Sequence, residues 1–239
     1  MSRKSRMNDA RNAEAKALAD KQRRNRWIML AVAAVVAVAL IVGAIALGGK
    51  DDASATQGAA SATAVPDITP EASHIVEIDI AGHGVITAEL YSNIAPITVE
   101  NFVKLANEGF YDGLTFHRII DGFMMQGGDP NGDGTGGSGT NIKGEFTSNG
   151  VYNPLNHERG VLSMARNSIS MDSASSQFFI MHEVSPWLDG EYASFGRVTS
   201  GMEIVDAICQ NTPVTDGNGT VARENQPIIN SIRVTEIAE

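Results

Sequence analysis

Residues 116–129 read Phe-His-Arg-Ile-Ile-Asp-Gly-Phe-Met-Met-Gln-Gly-Gly-Asp, and this stretch limits what the chain can fold into more tightly than any other. Asp121-Gly122 is a turn dipeptide with strand-compatible runs on both sides, which predicts strands over 115–119 and 123–126. Side chains two apart in a strand share a face. The alternation therefore predicts Phe116 and Arg118 on one face, joined across the hairpin by Met124 and Gln126. A cation, an amide and apolar surface on one wall suit an apolar ligand carrying a polarisable amide. They suit a hydrolytic site poorly.

The rest of the chain divides by charge. Residues 1–26 carry nine Lys/Arg against three acids, a net +6, which leaves −16 for the remainder of a 239-residue chain whose total is −10. So acidic a body lacks the basic footprint that nucleic-acid binding needs. Trp27 to Leu47 is 21 residues without a charge. At about 1.5 Å per residue a helix of that length covers the bilayer's hydrocarbon thickness. Trp27 stands where an interfacial aromatic belongs, and Arg23, Arg24 and Arg26 hold that end on the cytoplasmic side. The expectation is a transmembrane signal anchor in the cell membrane, with the lipid bilayer as partner, a basic cytoplasmic tail over 1–26 and everything beyond outside the cytoplasm. A cleaved signal peptide is the alternative, although its apolar core would be shorter. Residues 48–72, small, polar and aperiodic, read as a flexible linker. Cys209 is the single cysteine, so the domain that follows, over 73–239, depends on its core alone.

Within that domain Ile75, Ile78 and Ile80 mark a first strand, Gly82-His83-Gly84 a turn, and Val85 to Tyr91 the returning strand. Pro96 opens a helix carrying Val99, Phe102, Val103 and Ala106 at helical spacing, and Gly109 ends it. Strand-like runs follow at Leu114–Ile120, Phe123–Gly127, Val161–Ala165, Gln177–Met181 and Ser194–Val198. Met202 to Cys209 is a second helix, and Pro227 to Ile237 a last strand. Many short strands with two helices predict a mainly β protein, a barrel or a sandwich.

The 116–129 stretch resembles the signature of the cyclophilin-type peptidyl-prolyl cis-trans isomerases. Four further blocks resemble that family in the same order: Gly134-Thr135-Gly136-Gly137, Gly160 to Ala165, Ser176-Gln177-Phe178-Phe179-Ile180, and Trp187-Leu188-Asp189-Gly190 with Phe195-Gly196. The likeness spans about 74–237 and, with the apolar segment, suggests a membrane-anchored, bacterial-like member. It implies a closed eight-stranded antiparallel barrel capped by two helices, preceded here by the transmembrane helix.

The activity it implies needs no cofactor or metal. An X-Pro bond has a barrier of about 18–20 kcal/mol because the nitrogen lone pair conjugates with the carbonyl. A donor near the prolyl nitrogen draws that lone pair back and favours the twisted transition state. The resemblance puts Arg118 in that role, with Gln126 holding the peptide backbone. It puts Phe123, Met124, Phe179 and Leu188 around the proline ring, and Ala165, Arg166, Gln177 and Trp187 in the adjoining groove. Trp187 matches the family position associated with cyclosporin, a possible ligand. Tyr192 stands where many members have histidine and Arg166 where many have asparagine, and the segment 167–175 is longer than in compact members. Met171 and Met181 are expected in packing, and His117 as a structural histidine. The partners implied are proline-containing unfolded or exported polypeptides. The alternative function is a proline-peptide-binding chaperone module with little or no turnover, and a scaffold recruited through the basic tail ranks behind both.

Other motifs fail on inspection. Asp129 to Gly134 opens like a calcium loop but has Thr140 where the bidentate Glu is required. Its glycines lack the Gly-Lys-Ser/Thr ending of a phosphate loop. Ser163 has no Gly-x-Ser-x-Gly elbow, which argues against a serine hydrolase.

Overall fold

Eight strands form one antiparallel sheet in the computed structural model, which describes residues 68–237. The strands are β1 (His74–Ile80), β2 (Gly84–Leu90), β3 (Thr115–Ile120), β4 (Met124–Asp129), β5 (Val161–Met164), β6 (Phe178–Met181), β7 (Ser194–Ser200) and β8 (Ile229–Glu236). Their spatial order is β3-β4-β6-β5-β7-β2-β1-β8. The expected tail, spanning segment and most of the linker lie outside the described residues. Among the described residues no helix is long and apolar enough to cross a membrane. The last residues of the expected linker lie against the domain: Thr69 and Glu71 bond to Asn93, and Ile68 and Ala72 pack against the apolar cluster that includes Tyr91, Met124 and Phe179.

The sheet curls around an apolar interior. Val76, Ile78 and Ile80 of β1 and Ile86, Ala88 and Leu90 of β2 face inward, every second residue, as a half-buried sheet requires. Helix α1 (Pro96–Asn107) fills the interior with Val99, Phe102, Leu105 and Ala106. Phe102 meets Tyr111, Phe178 and Phe195 at ring distances of 5.2, 5.3 and 5.2 Å. Pro96 begins α1 as expected, but no local side chain caps it. The buried carboxylate of Glu145 accepts the N–H groups of Ile97 (3.1 Å) and Thr98 (2.7 Å), placing a negative charge on the helix N-terminus from 47 residues away. Helix α2 (Met202–Asn211) buries Val205, Ile208 and Cys209.

The expected closed barrel is here a curled half-barrel. β3 and β8 are its edge strands, bridged at Thr115 and Ile228. Beyond that bridge the free edge of β3 pairs with a loop: Ile119 N–H donates to Gly219 C=O (2.8 Å) and Val221 N–H to His117 C=O (2.9 Å).

The β3–β4 hairpin forms where Asp121-Gly122 predicted it. Phe123 N–H closes the turn on Ile120 C=O at 3.0 Å, and Gly122 takes φ 79°, open to glycine at little cost. One expectation fails. Phe116 and Arg118 do not share a face, because Phe116 pairs with Gly127 while Arg118 pairs with Gln126, so the register shifts at His117. This bulge turns Phe116 into the core, 5.9 Å from the Phe178 ring, and leaves Arg118 on the outer face. Gly127 follows from it, since a Cβ there would stand 2.8 Å from the Phe116 ring.

Candidate active site

On the outer face of β4 and β6, residues one apart from the core side chains form a pocket of about 120 Å³. Met125 and Phe178 point inward, whereas Met124, Gln126 and Phe179 line the pocket. Arg118, Phe123, Ala165, Arg166, Leu188 and Tyr192 complete the lining. The sequence-predicted residues are thus brought together except for two. Gln177 stands behind Gln126, and Trp187 stands at the rim, 50% exposed with its ring 5.9 Å from that of Phe123.

Arg118 is gripped from two sides. Its Nε donates to Asn218 C=O (2.9 Å), one terminal nitrogen to Asn218 Oδ1 (3.2 Å) and the other to Gln126 Oε1 (3.3 Å). Among the described residues no carboxylate forms an ion pair with it. Burial lowers its pKa from the ordinary arginine value, opposed by Tyr192 and Asp216. The guanidinium is therefore oriented by neutral acceptors that leave its charge uncompensated. Gln126 is fixed in turn: its amide nitrogen donates to Gln177 Oε1 (2.9 Å), and Gln177 donates to the carbonyls of Gly134 (3.1 Å) and Gly136 (2.8 Å).

The opposite edge is built from stacked groups. The Arg166 guanidinium lies 5.2 Å from the Phe146 ring and 4.8 Å from the Tyr192 ring, within cation–π range. It also donates to Glu191 C=O (2.9 Å) and pairs with the Glu191 carboxylate at 3.3 Å. The Tyr192 ring meets Phe179 edge-on at 6.0 Å. The charge that Arg166 brings to the groove is already committed.

Two supporting residues were missed. Asn218 sits in Asp216-Gly217-Asn218-Gly219, whose turn dipeptides could have flagged the loop but not its partner. Asp216 shapes that loop by accepting the N–H groups of Asn218 (2.9 Å) and Thr220 (3.0 Å). His157 stacks on Phe179 at 6.1 Å from behind the pocket. Its Nδ1 lies 2.9 Å from Asp189 Oδ1 and its Nε2 3.0 Å from Ser163 Oγ, the connectivity of a hydrolase triad. Ser163 is fully buried and absent from the pocket lining, so the arrangement is a strut beneath Phe179.

Other expectations sort plainly. Met181 is buried in packing, but Met171 is 41% exposed, because the 167–175 segment runs over the surface on its own Asx and Ser hydrogen bonds. The His117 ring is buried and outside the pocket lining. Burial first, then Arg118, lowers its pKa against Asp129 and Asp133. The Asp129 carboxylate accepts the N–H groups of Asn131 (2.8 Å), Asp133 (3.1 Å) and Gly134 (2.6 Å), shaping the loop that carries Gly134 and Gly136.

The family model "Cyclophilin type peptidyl-prolyl cis-trans isomerase/CLD" matches residues 75–237. The chain belongs to the cyclophilin-type peptidyl-prolyl cis-trans isomerases. Peptidyl-prolyl cis-trans isomerase B of Bacillus subtilis is 58% identical over 118 residues, 49% of this chain and 78% of that protein. A Helicobacter pylori peptidyl-prolyl isomerase is 49% identical over 129 residues, covering 53% and 76%. The fission yeast isomerase ppi1 is 48% identical over 122 residues, covering 51% and 76%. Bacterial and fungal cyclophilins both match, so these likenesses do not single out a bacterial-like type. The crystal structure of a Cryptosporidium parvum cyclophilin in the presence of the dipeptide Ala-Pro is 34% identical, with a TM-score of 0.59, covering 67% of this chain and 98% of that one. The protein is a peptidyl-prolyl cis-trans isomerase, an enzyme of the rotamase type.

Proposed function

We propose that this cyclophilin isomerises X-Pro bonds without a covalent step, with the proline ring in the 120 Å³ pocket and Arg118 donating to the prolyl nitrogen. The observation that carries this is the Arg118 guanidinium, oriented by Asn218 and Gln126 beside apolar walls and unpaired with any acid among the described residues. A rigid cation that a substrate does not have to pull from a carboxylate acts on the twisted nitrogen more than on the planar amide. Gln126, held by Gln177, is placed to bond the peptide backbone. The C. parvum relative studied with Ala-Pro supports a proline peptide as the occupant. In a proline-peptide assay, Arg118→Ala is expected to lose about 10²–10³-fold in kcat/KM, the scale of removing one preorganised donor, with its circular dichroism unchanged. A folded Arg118→Ala enzyme as fast as wild type would refute the role. A wild type that binds proline peptides without accelerating them would establish the chaperone reading.

The charge-free segment 27–47 behind a basic cluster supports a membrane anchor, an extracytoplasmic domain and exported polypeptides as clients. Protection of the domain during protease shaving of intact cells would overturn that topology. Trp187, half exposed beside Phe123, supports cyclosporin binding, which the absence of a thermal shift at micromolar drug would exclude.

A further inference from the structure

Phe123, a wall of the pocket, is tied through its backbone to the His182-Glu183 segment that follows β6. The Phe123 carbonyl accepts the N–H groups of His182 (2.9 Å) and Glu183 (3.3 Å). The turn residue before it, Gly122, donates its N–H to His182 Nδ1 at 2.9 Å. A ring nitrogen that accepts a hydrogen bond carries no proton, so the hydrogen of the neutral ring sits on Nε2. The His182 side chain is 5% exposed, and Nε2 lies 3.0 Å from Asp206 Oδ1 on α2, at ion-pair distance though out of line for a hydrogen bond. Arg159 holds both groups, pairing with Asp206 at 2.7 Å and donating to the His182 carbonyl at 2.8 Å.

A second carboxylate stands at the same turn: Asp121 Oδ1 is 3.7 Å from Nδ1. Gly122 N–H and the Asp121 carboxylate are mutually exclusive partners for that nitrogen. The first requires a neutral ring, and the second becomes the partner once Nδ1 carries a proton. The carboxylates at the ring are Asp121 from the turn and Asp206 from α2, with Arg159 from the segment ahead of β5 paired to Asp206, and the Cys209 thiol of α2 lies within electrostatic reach of the same three groups. Burial pushes the Cys209 thiol up to about 12, with Asp121 and Asp206 adding to the rise, so it stays neutral.

We propose that His182 is a positioning residue for the proline pocket: neutral, it holds the 121–123 turn with Phe123 in the wall, and protonated, it exchanges Gly122 for Asp121 and loosens that wall. The inference rests on the reading of the pocket as the proline site. Histidine side chains in general change charge within about pH 5–8, which sets the range to examine.

The test measures kcat, KM and the dissociation constant of a proline peptide across that range for the full chain and two variants. In wild type the dissociation constant and KM are expected to rise about fivefold on acidification, the factor for one lost hydrogen bond, with kcat nearly constant. His182→Asn places a non-titrating amide oxygen where Nδ1 stood, and should keep the alkaline affinity at every pH. His182→Gln leaves Gly122 N–H without its acceptor and should show the acid-form affinity throughout. An inflection that survives in His182→Asn overturns the proposal and passes the titration to another group. A wild type that binds with pH-independent affinity also overturns it, whereas one that binds no proline peptide at any pH overturns the pocket reading itself. Should either variant fail to fold, the wild-type Gly122 amide shift must titrate together with the His182 Nδ1 shift. A Gly122 amide that does not follow the ring sinks the idea.

Discussion

Arg118 and Arg166 line the same pocket and carry the same charge, yet their surroundings differ in kind. Arg118 is held by a backbone carbonyl and two neutral amides, none of which cancels its charge. Arg166 is pressed between Phe146 and Tyr192 and paired with Glu191. One cation is oriented and kept available, while the other is consumed in bracing Tyr192 against Phe179. The pair shows that counting charges in a pocket says little about function until their partners are known. A salt bridge at Arg118 would tax any donation to substrate, and a bare cation at Arg166 would leave Tyr192 unsupported.

The largest test of this contrast replaces each arginine by lysine. Arg118→Lys keeps the charge but loses the planar fork, and is expected to reduce kcat/KM by about 10²-fold. Arg166→Lys, with a partly exposed partner, should stay within about threefold in kcat and act mainly on KM. Equal losses at both positions would erase the distinction. A smaller effect is expected from Asn218→Ala, which removes one side-chain acceptor while the main-chain carbonyl remains: about fivefold in kcat/KM, with unchanged stability. No change there would mean that the carbonyl and Gln126 suffice to aim Arg118. The smallest effect is on stability. Burial lowers the pKa of both His117, beside Arg118, and His157, beneath Phe179, so the folded state binds fewer protons than the unfolded chain. Their contribution is present above the unfolded histidine value of about 6.5 and is lost as pH falls through the lowered folded values. Thermal melts should therefore weaken on acidification, less so in His117→Asn and in His157→Asn. The share that each substitution removes apportions the effect between the two edges of the pocket.

Local chemistry made the strands and helices legible. Asp121-Gly122, Pro96 and the alternating isoleucines each act through their own backbone or nearest neighbours. The apolar half of the site was legible partly from strand parity, which set Met124 beside Gln126, and otherwise from the family resemblance, which named Phe123, Phe179 and Leu188. Parity also misled, because a bulge at His117 leaves no mark in residue type, and Phe116 went to the wrong face. The polar half depends on partners far along the chain: Asn218 is 100 residues from Arg118, and Glu145 caps a helix 47 residues before it. No spacing rule reaches that far. The partners of Arg166 were equally hidden, because Glu191, Phe146 and Tyr192 converge on it only after folding.

The loop that grips Arg118 also occupies the outer edge of β3, through Gly219 and Val221. An uncovered edge strand offers its backbone to any passing extended chain, including another copy of itself. Loosening this loop would therefore do more than misdirect a guanidinium. It would open a template for strand addition a few ångströms from the site, and loss of turnover and self-association would arise from one lesion.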